Sequence, residues 1–289
     1  MMRLTGPQFS CRDATSLSGT AEDAGALAMF VGTAVFAGFA GVELGADDHG
    51  QVRDTRATHG TIDRSGVELS SFEFVAEWRG GAESESERAE GNRAIEFVSS
   101  FPGGRLVLDQ SPGPDRKDLR ERQESALRCV NELGRRAASA GVAATFHPNS
   151  AEGSVFRDEA DYDRLVNGLN PAFAALTPDP WQITQGGMDP LDIIHTYRDR
   201  VDHVRLNIRA DVNAAQLPDG DTERARIVAY LCHTGFTGWF VLDGQRSTAG
   251  GVSAGAIQSA GRYARSQLTP LVHEAHRARA DELREPPKQ

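Results

Sequence analysis

Nine polar residues stand at or just beyond the ends of short apolar runs: Glu43, Glu77, Asp109, His147, Asn149, Asp179, Arg205, Asn207 and Asp243. Side chains of these types suit proton-transfer chemistry. An imidazole titrates near neutral pH, a carboxylate can take or return a proton or hold a cation, and a guanidinium fixes negative charge. Residues at strand ends also cap helices and bond loops, so not all nine need be reactive. Asp109, directly before Gln-Ser-Pro-Gly-Pro, reads as such a loop residue. Glu73 and Glu77 lie in an alternating stretch and are not assigned to the site.

The elements that must position these groups alternate between short apolar runs and polar amphipathic stretches, the pattern of parallel strands joined by helices. Eight strands are expected at residues 3–10, 41–44, 67–76, 105–109, 142–146, 173–177, 203–207 and 239–242. Helices are expected at 84–99, 116–140, 158–169, 190–198, 221–234 and 254–282. The uncharged stretch 24–42 reads as a buried helix running into a strand, because four glycines and the adjoining Glu43 make it too weakly apolar for a membrane span. The expected fold is α/β, a single (β/α)8 barrel over residues 1–275 with a helix end and tail over 276–289. A doubly wound open sheet could use six or seven of the same strands. In a parallel barrel the reactive groups gather where strands end, so the polar strand ends share one mouth.

Composition narrows the partners. The 289 residues carry a net charge of −10, which argues against a nucleic-acid binder, whose surface must be basic. Lys117 and Lys288 are the two lysines among 31 basic residues, a bias that reads as coding composition. Cys11, Cys129 and Cys232 are odd in number and far apart, which suits a reducing cytoplasm better than a disulfide framework. The start MMRLTGPQFSC has no charged segment followed by an apolar run, so no signal peptide is expected. The long C-terminal helix is suited to a homodimer contact.

Four segments, in order and at their spacing, carry a resemblance: AGFAGVEL at 37–44, FHPNS at 146–150, GGMDPLDIIHTYRDRVDHVRL at 186–206 and GFTGWFVLD at 235–243. Together they resemble the xylose isomerase-like barrel family of sugar phosphate isomerases, ketose epimerases and inosose dehydratases, with the inosose dehydratase branch most alike. The resemblance runs from about residue 27 onward. It implies a (β/α)8 barrel in which carboxylates and a histidine on strands five to eight hold one divalent cation. That cation polarises substrate oxygens while carboxylates move protons.

Carried over position by position, the family's sixth-strand D-x-G-H becomes Asp179-Pro180-Trp181-Gln182, which keeps the aspartate and loses the histidine. The seventh-strand ligand histidine is replaced by Arg205, the last strand's glutamate by Asp243 and the fifth-strand carboxylate by His147. Arginine has no lone pair to give a metal. Its charge at about 4 Å would repel each unit of cation charge by roughly 4 kcal/mol at an effective dielectric of about 20. The expectation is therefore an enzyme without a metal or other cofactor, an isomerase, epimerase or dehydratase-type lyase of a small polyhydroxylated or oxo compound. Arg205 would stabilise a developing oxyanion, His147 would act as general acid or base, and Asp179 and Asp243 would orient Arg205 or move protons. Glu43, Asn149, Trp181, Gln182 and Asn207 would hold substrate. Two alternatives stay open: a displaced metal site of His147, Asp179 and Asp243, and a ligand-binding barrel without catalysis. No dinucleotide or phosphate-loop motif points to another cofactor.

Overall fold

The computed structural model describes residues 7–12, 21–45, 55–207, 222–243, 246–247, 251–252 and 254–282. Eight parallel strands form the barrel wall: β1 (Gln8–Arg12), β2 (Gly41–Gly45), β3 (Glu68–Ala76), β4 (Arg105–Gln110), β5 (Ala143–His147), β6 (Ala175–Leu176), β7 (His203–Asn207) and β8 (Trp239–Asp243). Neighbours in space follow the order β6-β5-β4-β3-β2-β1-β8-β7. The remaining seam, between β6 and β7, is closed by a single bridge from Leu176 to Val201. Backbone bonds from Asp202 to the Leu176 carbonyl (3.2 Å) and from Arg205 to the Pro178 carbonyl (3.1 Å) extend it. The shortness of β6 has a local cause. Thr177 still donates to the Phe146 carbonyl at 2.8 Å, but Pro178 comes next, and a proline has no N–H to donate to a ladder.

Around the wall run α1 (Ala21–Phe36), α2 (Thr55–Ser65), α3 (Glu85–Ser99), α4 (Leu119–Ser139), α5 (Glu159–Gly168), α6 (Pro180–Gln185), α7 (Pro190–Thr196), α8 (Thr222–Thr234), α9 (Ala254–Tyr263) and α10 (Thr269–Glu282). Polar residues fix where several begin. Ser84 with Glu87, and Asp158 with Asp161, form reciprocal caps on α3 and α5. Asp179 and Asp189 each precede a proline at the first helical position and accept bonds from the next two backbone amides.

The expected single helix over 254–282 is interrupted by a wider turn at Ala264–Leu268, because Pro270 cannot donate to a carbonyl one turn back. Two helices escaped the sequence reading. In α2 only Thr58 and Ile62 are buried, too sparse an apolar face to show a period, and α6 has only six residues. β1 reaches Arg12, two residues beyond its expected end, and residues 3–6 lie outside those described.

Among the described residues no helix is long and apolar enough to cross a membrane. Cys11, Cys129 and Cys232 are free and buried, and burial pushes the Cys129 and Cys232 thiols up to about 11 and about 12.

The loops after β4 and β5 touch backbone to backbone, with the Gly113 amide donating to the Gly153 carbonyl at 3.1 Å. A β-carbon on Gly153 would lie 1.6 Å from the Gly113 oxygen. Gly153→Ala is therefore expected to push these loops apart and lower stability by about 1 to 3 kcal/mol, read as a fall in melting temperature. An unchanged melt would mean the loops do not constrain each other.

Candidate active site

Side chains alternate along each strand, so Ser71 and Glu73 on β3, Asp109 on β4, His147 on β5, and His203 and Arg205 on β7 face the barrel interior, and Asp179, the N-cap of α6 beyond the end of β6, joins them. Two connected clusters result. In the first, Arg205 stretches across the interior: Nη2 lies 2.8 Å from Glu43 Oε1 and Nη1 lies 2.8 Å from Glu73 Oε1. Arg12 completes a ring of two guanidinium groups and two carboxylates, with Nε 3.5 Å from Glu43 Oε1 and Nη2 bonded to Glu73 Oε2. Below it, Glu43 Oε2 accepts from Ser71 Oγ at 2.6 Å and lies 3.2 Å from His203 Nε2.

The second cluster centres on His147. Its Nδ1 lies 2.9 Å from Asp109 Oδ2, and Asn149 Nδ2 donates to Asp109 Oδ1 at 3.0 Å and to the Gln110 carbonyl at 2.8 Å. Nε2 of His147 is buried and has no hydrogen-bond partner among the described residues. The nearest described carboxylate oxygen on that side, Asp179 Oδ2, is 3.7 Å away. Asp179 uses its other oxygen to cap α6, accepting from the Trp181 amide at 2.9 Å and the Gln182 amide at 3.4 Å.

Burial by itself would raise the Glu43 carboxyl, but the Arg205 charge, the His203 hydrogen bond and Arg12 together hold it well below the usual carboxylate range. Burial lowers His203, and the Glu43 carboxylate only partly offsets this. His147 goes the other way: burial and the Arg205 charge both lower it, yet the bonded Asp109 and the nearby Asp179 together outweigh them and its affinity for a proton rises. Asp109, which burial would raise, is held low by His147.

The depressed Glu43 pKa has a definite sign for stability. Below the unfolded-state value of about 4.3 the unfolded chain takes up a proton that the folded state refuses, so stability falls as pH drops towards the folded value. The melting-temperature gap between wild type and Glu43→Gln should narrow between about pH 5 and pH 3. A constant gap would mean Glu43 titrates alike in both states.

Of the nine residues expected at the site, Glu43, His147, Asp179 and Arg205 meet inside the barrel. Asn149 bonds Asp109 through its amide nitrogen, while its Oδ1 is buried with no partner among the described residues. Trp181 and Gln182 form the first turn of α6, and the Gln182 oxygen accepts from the Ser150 amide (2.8 Å) and Oγ (2.6 Å), tying α6 to the loop after β5. Asn207 and Asp243 end β7 and β8 opposite each other in register, and their side chains lie outside those described. Asp109 differs from its reading as a loop residue, because it is the hydrogen-bond partner of His147. Glu73 is likewise a member of the charged ring, whereas Glu77 is exposed.

The described donors do not fit the divalent cation that the barrel type implies. Ligand atoms of Glu73, Asp109 and His147 lie within 4.8 Å of one another. Yet both Glu73 oxygens are engaged by guanidinium groups and Asp109 is bonded by His147 Nδ1 and Asn149, which leaves His147 Nε2 as the open donor atom of the three residues. A cation there would have to displace Arg205 and Arg12 from their carboxylates and sit beside two fixed positive charges.

The family model described as xylose isomerase-like TIM barrel matches residues 32–266. Inosose dehydratase from Geobacillus kaustophilus is 25% identical over 170 residues, covering 51% of this chain and 54% of the relative. The chain thus spans about half the length of the curated relatives it matches. Among solved structures, L-ribulose 3-epimerase superposes with a TM-score of 0.70 at 16% identity, covering 98% of this chain and 100% of the other. A xylose isomerase-like TIM barrel protein from Mycobacterium smegmatis, in complex with magnesium, gives 0.68 at 16% identity, covering 94% and 98%. At such identities the structural likeness carries the fold alone.

Proposed function

The chain belongs to the xylose isomerase-like TIM barrel family, and from that membership we propose an isomerase, epimerase or dehydratase-type lyase that moves a proton on a small polyhydroxylated or oxo compound without a divalent cation. The observation that carries this reading is the His147 imidazole. One ring nitrogen is tied to Asp109 and the other is buried without a hydrogen-bond partner among the described residues, beside the fixed charge of Arg205.

In the proposed reaction His147 Nε2 takes the proton from a carbon next to the substrate carbonyl, leaving the electron pair as an enolate. Return of a proton to the former carbonyl carbon, with the adjacent hydroxyl proton passing to the enolate oxygen, isomerises. Return to the opposite face of the carbon that lost it epimerises, and expulsion of a β-hydroxyl, protonated by the imidazolium so that it leaves as water, dehydrates. The guanidinium groups supply the positive potential that the enolate oxygen needs. Arg205 is bridged by two carboxylates and only 2% of its side chain is exposed. Arg12, 13% exposed, is the group better placed to meet that oxygen, with Arg205 fixing the charge behind it. Asn149 Oδ1 would accept a substrate hydroxyl. Asp179 lies on the Nε2 side, where it can share the transferred proton.

The test is turnover on a panel of ketoses and inososes by protein purified without added metal, before and after chelation, with its metal content measured. Turnover should survive chelation. Loss on chelation with recovery on adding Mn, Mg, Co or Zn would favour a displaced metal site with His147, Asp179 and Asp243. Ligand binding without turnover would favour a non-catalytic barrel.

A further inference from the structure

We propose that Asp109 is a positioning residue that holds His147 in the tautomer protonated on Nδ1, and that Asn149 fixes the orientation of the carboxylate that does so. The functional consequence rests on reading His147 as the proton carrier, whereas the tautomer itself does not.

A neutral imidazole has one N–H, and the hydrogen bond made by one nitrogen decides which nitrogen carries it. An ionised carboxylate can only accept, so Asp109 Oδ2 at 2.9 Å demands the proton on Nδ1. Nε2 is then left with its lone pair towards the interior, the form a general base requires. The groups facing the ring are Asp109 from β4, Asp179 from the cap of α6, Arg205 from β7 and Glu73 from β3. Of these, Asp109 is the one bonded to Nδ1.

Asn149 determines what an amide at position 109 could do. Its Nδ2 donates both to Asp109 Oδ1 and to the Gln110 carbonyl, so it cannot turn over without losing the second bond. The loop that carries it is held as well, because Ser154 Oγ donates to the Asn149 carbonyl at 2.6 Å. An asparagine replacing Asp109 must therefore offer its oxygen to Asn149 and its NH2 group to His147 Nδ1. That donor would force the ring proton onto Nε2. The lone pair would be removed from the reacting side while shape and size stay almost unchanged.

Ring-nitrogen NMR shifts read the tautomer directly at an alkaline pH where the imidazole is neutral. Wild type should show Nδ1–H. Asp109→Asn should show Nε2–H with its melting transition retained, and turnover should fall by about a thousandfold or more, as a wrong tautomer does in other histidine-dependent enzymes. Adding Asn149→Ala to Asp109→Asn frees the new amide to turn its oxygen towards Nδ1. The double variant should therefore recover Nδ1–H and turn over close to the rate of Asn149→Ala alone, which carries the cost of the lost substrate contact, a rescue that a merely structural role would not produce. An inverted tautomer with unchanged turnover would uphold the positioning and overturn His147 as proton carrier. Nε2–H in the wild type, or Nδ1–H retained in folded Asp109→Asn, would overturn the proposal.

Discussion

Replacing Arg205 with methionine should destabilise the folded protein by about 3 to 5 kcal/mol, the range for removing one partner of a buried ion pair. The cost arises from what is left behind. Glu43 is fully buried and Glu73 nearly so, and Arg205 is the largest of the influences that oppose burial at Glu43. Without it Glu43 keeps Ser71, His203 and the more distant Arg12, and Glu73 keeps Arg12. The Glu43 carboxyl should then rise towards neutrality, so the penalty should shrink at acid pH. Arg205→Lys retains the charge but cannot span two carboxylates, and should fall between wild type and Arg205→Met. Adding Glu43→Gln to Arg205→Met removes the stranded charge and should restore part of the loss. Chemical denaturation of the four proteins measures all of this. Equal stability of wild type and Arg205→Met would mean that the charged ring does not hold the interior together.

That ring shows where a sequence yields its information and where it withholds it. The barrel was legible because each strand carries its own record, an apolar run with a polar residue at its end. The helix starts expected at 84, 158 and 190 are equally local, and α3, α5 and α7 begin within one residue of them. The partners inside the barrel are not local. Glu73 and Arg205 come from β3 and β7, and nothing in the alternating stretch around Glu73 says that its charge is matched. Arg12 lies two residues beyond the expected end of the first strand, where Ser10 and Arg12 continue the period of two opposite Phe9 and Cys11.

Asp109 was hidden by its neighbours, since Gln-Ser-Pro-Gly-Pro reads as a loop. Its function depends on register: Asp109 and His147 are paired positions of β4 and β5, which is known only once the strands are aligned. The same register makes the pair informative, because a slip of one residue would turn both side chains outward.

The second large effect is expected on turnover. His147→Asn keeps a donor near the place of Nδ1 and deletes Nε2, so it separates the bond to Asp109 from the proton transfer assigned to the other nitrogen. Loss of a positioned acid or base costs about a hundredfold to ten-thousandfold, which is about 3 to 5 kcal/mol of barrier. Stability should change less than this, because the variant can still donate a hydrogen bond to Asp109 and leaves Asn149 bonded to the other carboxylate oxygen. The pH profile adds a second signature. A base must be neutral to act, and His147 holds its proton more tightly than an ordinary histidine because Asp109 and Asp179 together outweigh burial and Arg205. Wild-type kcat/KM should therefore rise with pH along a limb centred above about 6.5, and that limb should be absent from the residual activity of the variant. The measurement is kcat/KM across the pH range for both proteins on the best substrate of the panel, with melting curves as the check on folding. If folded His147→Asn turns over at the wild-type rate, with the same limb, the proton is carried by another group.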